Sequence, residues 1–331
     1  MSRPASCSID PAQRDELLAI CARTFQRPGP DGSLPRQFHR KTLACLRATL
    51  TINPPDDPAI RHGLFARPGR YDTLVRFSNS FFDEDDDPDA RGLALKVTGV
   101  EGPVCDSAPP GQQDFVLMNA DTGPARDADE AMELFRVLDG IPGATMSAVA
   151  APRYLFPSLL PWRARWRYLA FLLDSALQHL RGHDLAQLSY GSVTPYRLGD
   201  GATKFALVPD EAARARRPMT GRDFTGKLQS ALDGGPIRFH FRLQPRVLES
   251  DPMEDVRRAW RSPMVTVGCL EIPPQDVAST VPLGDRLTFS PWNCLAAHEP
   301  LGSINGLRRA AYAASAANRG ASAVTATAGD P

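Results

Sequence analysis

The segment 308–319, RRAAYAASAANR, carries the side chains best suited to hold a ligand. At about 100° per residue of a helix, four polar residues fall within roughly 60° of one another: Arg308, Tyr312, Ser315 and Arg319. A solvated helix face usually mixes both signs of charge, whereas arginines around a tyrosine suit a planar, anionic partner. The spacing therefore predicts a ligand-binding helix near the end of the sequence.

Other candidate sites fail on residue type or spacing. An EF-hand loop that starts at Asp83 would place Pro88 where glycine is required and Ala94 where a glutamate belongs. The stretch GDGATKF lacks the glycine spacing and the Lys-Ser/Thr pair of a phosphate-binding loop. The six cysteines form no CxxC pair and have no histidine at zinc-ligand spacing. We therefore expect free thiols and neither a zinc site nor a disulfide framework.

The composition is that of a globular protein without a strongly charged partner. Of 331 residues, 42% are hydrophobic, which is enough for a large core, and 38 basic residues balance 38 acidic ones, which argues against nucleic acid as a partner. The sequence has no signal-peptide core and no integral membrane segment, so we expect a cytoplasmic protein.

The segment 161–171, PWRARWRYLAF, interleaves basic and aromatic residues. This pattern is compatible with contact to a membrane surface or to a fatty-acyl substrate. An amphipathic helix whose arginines extend over its own core is the more common explanation.

Short apolar segments separated by turn residues predict an antiparallel sheet that closes into a barrel of about eight strands, large enough to enclose one ligand. The predicted strands are TLACLRATLTI, GLFARP, DTLVRFSN, RGLALKVTG, DFVLMN, SYGSVTPYRLG, TKFALVPD, IRFHFRLQPRV and MVTVGCLEIPP. With the helices between them, they indicate the α+β class.

Helix signals flank these strands. Asp10 and Pro11 predict a helix start, with Gln13 completing a capping box. Asp127 predicts the start of a second helix, 162–182 a longer one, and Thr220 the start of another that ends at a pair of glycines.

Three segments, RQFHRK, VRFSNSFFDEDDDPDARGLALK and RRAAYAASAANR, resemble heme catalases in order and spacing. The segments SYGSVTPYRLGDGATKFALVP and LTFSPWNCLAAHEPLGSINGLRR are most similar to a short, catalase-related branch without a flavodoxin-like domain. The resemblance implies an eight-stranded barrel of catalase type. It divides the chain into an N-terminal helix and connector (1–33), a heme domain (34–319) and a disordered tail (320–331).

The resemblance implies heme b with ferric iron as the cofactor. Tyr312 would be the proximal iron ligand, and Arg308, four residues earlier, would stabilise its phenolate. Arg36, Arg76 and Arg319 would bind the heme propionates. The planar anion that suits the last helix would then be heme.

On the distal side, the resemblance implies His39 as the acid and base that moves a proton between the two oxygens of a peroxide, with Ser78 orienting the imidazole. A lone histidine is more often structural, but its spacing to Arg36 favours the catalytic role. Asn119 corresponds to a distal asparagine, although ungapped counting from Asp114 places that position on Met118.

The sequence also departs from the catalase pattern. Gly123 and Pro124 stand where catalases have two phenylalanines, Phe38 replaces a small β-branched residue, and Thr42 replaces a glycine. The glycine-proline pair would open room for an organic substrate, while Phe38 would restrict it.

These features favour a peroxidase or an enzyme that metabolises organic or fatty-acid hydroperoxides, with a peroxide or lipid hydroperoxide as the small-molecule partner. Two alternatives stay open, a hydrogen peroxide dismutating catalase and a non-catalytic heme- or lipid-binding barrel. Assembly into a homo-oligomer also stays open, since large catalases are tetramers.

Overall fold

The computed structural model describes residues 7–29, 32–80, 85, 89–106, 108–141, 150–158, 160–181, 184–217, 219, 221 and 223–321. Its strands are β1 Thr42–Ile52, β2 Gly69–Asn79, β3 Arg91–Thr98, β4 Gln112–Met118, β5 Tyr190–Gly191, β6 Tyr196–Leu198, β7 Gly201–Pro209, β8 Ile237–Pro245 and β9 Val265–Ile272. Its α-helices are α1 Pro11–Ile20, α2 Ala128–Leu138, α3 Ala150–Leu155, α4 Trp166–Arg181, α5 Glu211–Ala215, α6 Phe224–Asp233, α7 Val281–Arg286 and α8 Ser303–Asn318.

The strands form one antiparallel sheet that closes on itself. Their order is β5-β4-β3-β2-β1-β9-β8-β7-β6, and β5 also pairs with β7. This second pairing joins eight strands into a barrel and leaves the short β6 alongside β7. The predicted antiparallel eight-stranded β-barrel with flanking helices is thus confirmed.

The interior of the barrel is filled by its own side chains. Inward-facing residues from all the long strands belong to one buried cluster, in which Phe115, Phe205 and Phe241 lie around Phe65. An eight-stranded barrel is just wide enough for side chains to fill it. The expectation that the barrel encloses a ligand is therefore wrong, and a ligand site has to lie outside it.

The predicted strand GLFARP is instead a 3-10 turn at Gly63–Phe65, which corrects that prediction. Gly63 has a φ of +53°, and the backbone N–H of Leu64 donates to Nε2 of His298 at 3.0 Å, not to a neighbouring strand. A Cβ on Gly63 would lie 2.5 Å from that nitrogen. The segment is apolar because Leu64 and Phe65 fill the barrel.

The segment SYGSVTPYRLG forms two short strands, β5 and β6, instead of one. Val193 lies between them at a φ of +61°, which a β-branched residue rarely adopts and which breaks the extended run.

The predicted starts of α1 and α2 are observed, whereas the predicted capping box of α1 and the predicted N-cap of α6 are not. Asp10 caps α1 ahead of Pro11, and Asp127 caps α2. The capping box is wrong, because the Gln13 amide donates to Asp129 at 2.5 Å. The helix α6 is capped by Asp223, three residues after the predicted Thr220, which lies outside the described residues.

A second core holds the helices together beside the barrel. Leu17 and Ile20 of α1 pack with Met132 of α2, Tyr168 of α4 and Leu307 of α8. The N-terminal helix is thus part of the layer that contains the last helix. The division at residues 33 and 319 stays a prediction, and the acidic run 83–89 and the tail 320–331 lie largely outside the described residues.

Among the helices that the structure describes, none combines the length and apolar character needed to cross a bilayer.

The buried His298 predicts a specific acid sensitivity. It is fully buried, and burial lowers its pKa from the ordinary value of 6.5 to about 4. Below pH 6.5 the unfolded chain takes up a proton here that the folded chain accepts only near pH 4, so the free energy of unfolding falls across that window. Between about pH 7.5 and about pH 5, the free energy of unfolding measured in urea should fall by about 2 kcal/mol less in His298→Gln than in the wild type. Equal losses in the two proteins would show that His298 is not the responsible group.

Candidate functional site

The strands β1 to β4 place a second set of side chains on the outside of the barrel. Successive residues of a strand point to opposite faces, so each strand fills the interior and also presents an outer face. In β2, Val75 and Phe77 point inward, whereas Arg76 and Ser78 point outward. The outer face consists of Cys45, Arg76, Ser78, Gly92, Ala94, Val116 and their neighbours of the same parity.

The helix α8 packs along this outer face. Tyr312 is half-buried against a cluster formed by Cys45, Ala94 and Val116 together with Phe289. Beside it lies a cavity of about 330 Å³, bounded by α8, the segment 288–293 and the residues before β1. Its walls include Arg36, Phe38, Phe289, Asn293, Tyr312 and Arg319. Its volume lies at the lower end of the range for small-molecule sites.

Three arginines meet at the C-terminal end of α7, and we call them the arginine cluster: Arg36, Arg76 and Arg319. Arg36 donates to the carbonyl oxygens of Gly284 at 2.8 Å and of Leu287. Arg319 donates to the carbonyl of Asp285 at 2.9 Å. A helix C-terminus favours cations because its last carbonyls lack partners.

Arg76 is held from the other side of the cluster. It donates to Thr42 Oγ1 through Nη2 at 2.7 Å and through Nε at 3.0 Å, and to the carbonyl of His39 at 2.8 Å. Thr42 in turn donates to a carboxylate oxygen of Asp285 at 2.6 Å. Thr42, which departs from the catalase pattern, therefore links the cluster to its carboxylate.

The arginine cluster carries more positive than negative charge. Burial, and then repulsion by Arg76 and Arg319, lowers the pKa of Arg36 well below its ordinary value, and burial lowers the pKa of Arg76 to about 10. Burial also lowers the pKa of Arg319. Asp285 is the acidic side chain that offsets all three. An anionic ligand at this place would relieve the remaining repulsion.

Arg308 and Tyr312 form a pair on α8. The guanidinium carbon of Arg308 lies 5.6 Å from the centroid of the Tyr312 ring. Burial by itself lowers the pKa of Arg308, but charge interactions and hydrogen bonds with Tyr196 and Tyr312 outweigh it and hold that pKa above its ordinary value. Arg308 also donates to Thr194 and to Asn305, each at 3.0 Å. The guanidinium is thus fixed next to the phenol and charged.

His39 adopts an uncommon backbone conformation directly before β1. Its φ is +53°, in the left-handed region, and its N–H donates to the carbonyl of Ser80 at 2.7 Å. The ring nitrogen Nδ1 lies 3.2 Å from Ser78 Oγ. Burial, and then the charges of Arg76 and Arg308, lowers the pKa of His39 to about 3. The imidazole is therefore neutral at physiological pH, and non-glycine residues in this region of φ are enriched at functional sites.

Gly92 makes room for this imidazole. A Cβ on Gly92 would lie 2.5 Å from Cε1 of His39 and 2.6 Å from Ser78 Oγ. Gly92 belongs to the outer face of β3, opposite Ser78 in the pairing with β2. The lack of a side chain leaves room for the ring beside the strand.

Asn119 does not share the face of Gly92. It follows the end of β4, where its side-chain oxygen accepts from the N–H of Arg91 at 2.7 Å. Met118 is paired with Gly92 in the sheet and has the outward parity of Val116. The outer face thus presents Met118 at the point where the sequence predicts an asparagine.

Sequence reasoning missed a buried ion pair beneath the site. Lys96 and Asp114 are 2.8 Å apart, neither side chain is exposed, and the ammonium lies 5.2 Å from the centroid of the Phe289 ring. Asp114 also accepts from the N–H of Ser290 and from the Asn293 amide, each at 3.0 Å. This pair fixes the segment 288–293 that forms the cavity wall. The only local signal was a lysine at an outward position of an apolar strand.

The predicted residues therefore fall into two groups. The arginine cluster, Arg308 and Tyr312 gather around α8. His39 and Ser78 form a second group beside Gly92, which the sequence did not predict, and Arg76 links this group to the first. Within the described residues, His39, Ser78 and Asn119 do not line the cavity. Arg308 is nevertheless near enough to depress the pKa of His39, so the two groups are neighbours.

Comparison with solved structures shows a similarity to catalases. A fungal catalase matches with a TM-score of 0.62 and 16% identity over 85% of this chain and 57% of that chain. Catalase A from Saccharomyces cerevisiae matches with a TM-score of 0.62 and 16% identity over 87% and 61%. A bacterial catalase matches with a TM-score of 0.59 and 16% identity over 96% and 63%.

No protein-family model matches the chain, and no curated protein matches its sequence. The chain spans 57% to 63% of the length of these three catalases. At this level of identity the similarity concerns the fold. The chain has a catalase-like fold, which is the part of the resemblance that is confirmed.

Gly92→Ala tests the contact between β3 and the imidazole. Because the added methyl would overlap His39 and Ser78, we expect the ring to move and the free energy of unfolding to fall by about 1–3 kcal/mol. Urea unfolding and the NMR signal of the His39 Cε1–H group measure the two effects. Gly201→Ala is the matched control, because its Cβ would lie 3.5 Å from the nearest atom. An unchanged His39 signal in Gly92→Ala would contradict the packing described.

Proposed function

We propose that the protein binds heme b beside α8 and acts on peroxides as a peroxidase or as an enzyme that metabolises organic hydroperoxides. The observation that carries this proposal is the arginine cluster, which surrounds the carboxylate of Asp285 and, through Arg36 and Arg319, lines the same cavity as Tyr312. A ligand that fits must be flat, bear more than one carboxylate and offer a centre that a phenolate can bind. Heme b meets these three conditions.

The residues around the cavity are compatible with such a group. Arg36 and Arg319 line the cavity and would supply guanidinium groups for two propionates. A guanidinium binds a carboxylate with two parallel hydrogen bonds. The cavity has the apolar ring of Phe289 on one wall and the alanines Ala311, Ala313 and Ala316 of α8 on another. Small side chains allow a flat ligand to approach the helix closely.

Tyr312 is the proposed axial ligand of ferric iron. A free tyrosine has a pKa near 10 and is a poor ligand at neutral pH, so it needs a positive neighbour. Arg308 supplies that charge, and it is held in place by Thr194 and Asn305. Bound heme would provide the redox centre at which a peroxide O–O bond is cleaved.

His39 is the proposed proton acceptor and donor. In the tautomer that donates from Nδ1 to Ser78 Oγ, the other ring nitrogen, Nε2, is left with its lone pair to accept a proton. The lowered pKa of His39 keeps the ring in its neutral form before the reaction. Ser78 and the close approach of Gly92 orient the ring.

One observation favours an organic co-substrate or hydroperoxide over dismutation of hydrogen peroxide. The outward position paired with Gly92 carries Met118, which offers no amide donor, whereas Asn119 follows the end of β4. Gly123, in contrast, does not by itself open a large space. A Cβ there would lie 3.0 Å from Val256 and 3.3 Å from Val193.

The packed interior of the barrel disfavours the alternative of a carrier that holds a lipid inside it. The described strands contribute one continuous set of buried side chains to this interior. Among the functions considered, a site on the outer face with a neutral histidine fits turnover better than storage.

Tyr312→Phe tests the axial ligand. Removing the phenol oxygen should abolish stable heme binding or change the coordination of the iron, because phenylalanine offers no ligand atom. Protein purified from heme-supplemented cells is measured by its Soret absorbance per chain. Tyr71→Phe, on β2 and remote from α8, is the matched control and should keep the wild-type spectrum. A wild-type spectrum in Tyr312→Phe would reject this ligand.

His39→Ala tests the proton transfer. We expect the rate of peroxide cleavage to fall by about a hundredfold or more while the heme content stays unchanged, as is typical when a general acid–base group is lost. Oxygen release and co-substrate oxidation are followed with hydrogen peroxide, cumene hydroperoxide and a lipid hydroperoxide. Stoichiometric oxygen release from hydrogen peroxide would identify a dismutase instead. A fully active His39→Ala variant would show that His39 is structural.

A further inference from the structure

The helix α4 has an apolar face that no other described element covers. Trp166, Leu173 and Leu177 lie within about 40° of one another on the helix and are exposed. The opposite face of α4 buries Tyr168 in the helical core, with Leu172 partly buried beside it. A surface helix of a globular protein usually has one apolar face, and here there are two.

The exposed apolar residues of the chain are concentrated at this place. Nine large hydrophobic side chains are exposed among the described residues, and six of them lie between residues 156 and 177. The exposed fraction is 75% for Trp162 and 53% for Trp166, and the rings of Phe156 and Trp166 are 6.0 Å apart. We call the six together the exposed face: Phe156, Leu160, Trp162, Trp166, Leu173 and Leu177.

Arginines alternate with these aromatic side chains. From residue 150 to residue 177 the sequence has four arginines and one acidic residue, Asp174, although the whole chain has no net charge. Arg165 turns inward and pairs with Glu130 and Glu133. Arg153, Arg163 and Arg167 are exposed around the apolar residues.

A polar crevice of about 500 Å³ opens at the edge of the exposed face beside Trp166. Its walls carry five arginines and three acidic side chains. Arg126 and Arg257 also pair with Asp127 and Asp255, so the unbalanced positive charge on the described side of the crevice comes from Arg163 and Arg167. The arginines are Arg126, Arg163, Arg165, Arg167 and Arg257. An anionic group could enter the crevice while the aromatic side chains next to it stay in an apolar layer.

We infer that the exposed face docks on the surface of a bilayer that contains anionic phospholipids. Tryptophan side chains favour the headgroup level of a membrane, where the ring is partly apolar and the N–H is hydrated. Arginines at the same level are attracted to negatively charged headgroups. Exposed leucines along α4 would enter the boundary of the acyl chains, as in helices that lie in the interface.

Contact between two copies of the chain fits the exposed face less well. A twofold contact would bring the same predominantly basic patch of each copy together. Asp174 is the one acidic residue between residues 150 and 177, against four arginines, so the repulsion would be only partly offset. A negatively charged lipid surface supplies the missing charge.

Vesicle sedimentation tests this inference and does not require heme. The full chain is mixed with vesicles of phosphatidylcholine alone or of phosphatidylcholine with phosphatidylserine. We expect the protein to bind the second kind at least about tenfold more tightly, and added salt to weaken this binding. A blue shift of tryptophan fluorescence should accompany binding.

Two double variants distinguish the contribution of the tryptophans to vesicle binding from the contribution of the arginines. Trp162→Ala with Trp166→Ala should weaken binding to both kinds of vesicle, whereas Arg163→Gln with Arg167→Gln should remove the preference for phosphatidylserine. The matched control is Val247→Ala with Leu248→Ala, which removes exposed apolar side chains elsewhere. The control should bind like the wild type.

Three results would overturn the inference. The first is an absence of binding to vesicles that contain phosphatidylserine. The second is an equal loss of binding in the control at residues 247 and 248. The third is a tryptophan variant that changes the molecular mass in solution by light scattering but binds vesicles normally, because the exposed face would then be an interface between copies.

Discussion

The guanidinium groups of Arg36, Arg76 and Arg319 lie together around the end of α7, where Asp285 provides one carboxylate. Guanidinium groups that lie close together repel each other, so hydrogen bonds from the rest of the fold have to hold them in place. It does so with backbone carbonyls of α7 and with the hydroxyl of Thr42. Three arginines that are held by hydrogen bonds yet incompletely neutralised favour an anion at this place, and the proposed heme site depends on this property.

The filled barrel determines where that site can lie. Because the interior is occupied by aromatic and aliphatic side chains, the space for a ligand is found between the outer face and α8. Each strand both fills the interior and forms the outer face, since alternate residues point to opposite sides of the sheet. In β2, Phe77 stabilises the core while its neighbours Arg76 and Ser78 hold the site together.

The departures from the catalase pattern acquire physical roles in this fold. Thr42 connects Arg76 to Asp285, which a glycine could not do. Phe38 packs with its ring centroid 5.0 Å from Phe25 and 5.8 Å from Phe135, and so links the residues before β1 to the helical core. The space next to Gly123 is taken by Val256. These residues therefore make specific contacts in the fold and do not simply enlarge a cavity.

Local patterns in the sequence determined the eight barrel strands, the caps of α1 and α2, and the face of α8 that carries Arg308, Tyr312 and Arg319. These features depend on residues a few positions apart, where periodicity and capping act. The same patterns misassigned GLFARP as a strand, because its apolar residues belong to a 3-10 turn whose side chains fill the barrel interior. Only the tertiary structure decided that the interior is full, that Gly92 makes room for His39, and that Lys96 and Asp114 fix the cavity wall. Asp285 reaches Thr42 from 243 positions away in the chain, and a contact of that kind exists only when distant parts of the chain have folded together.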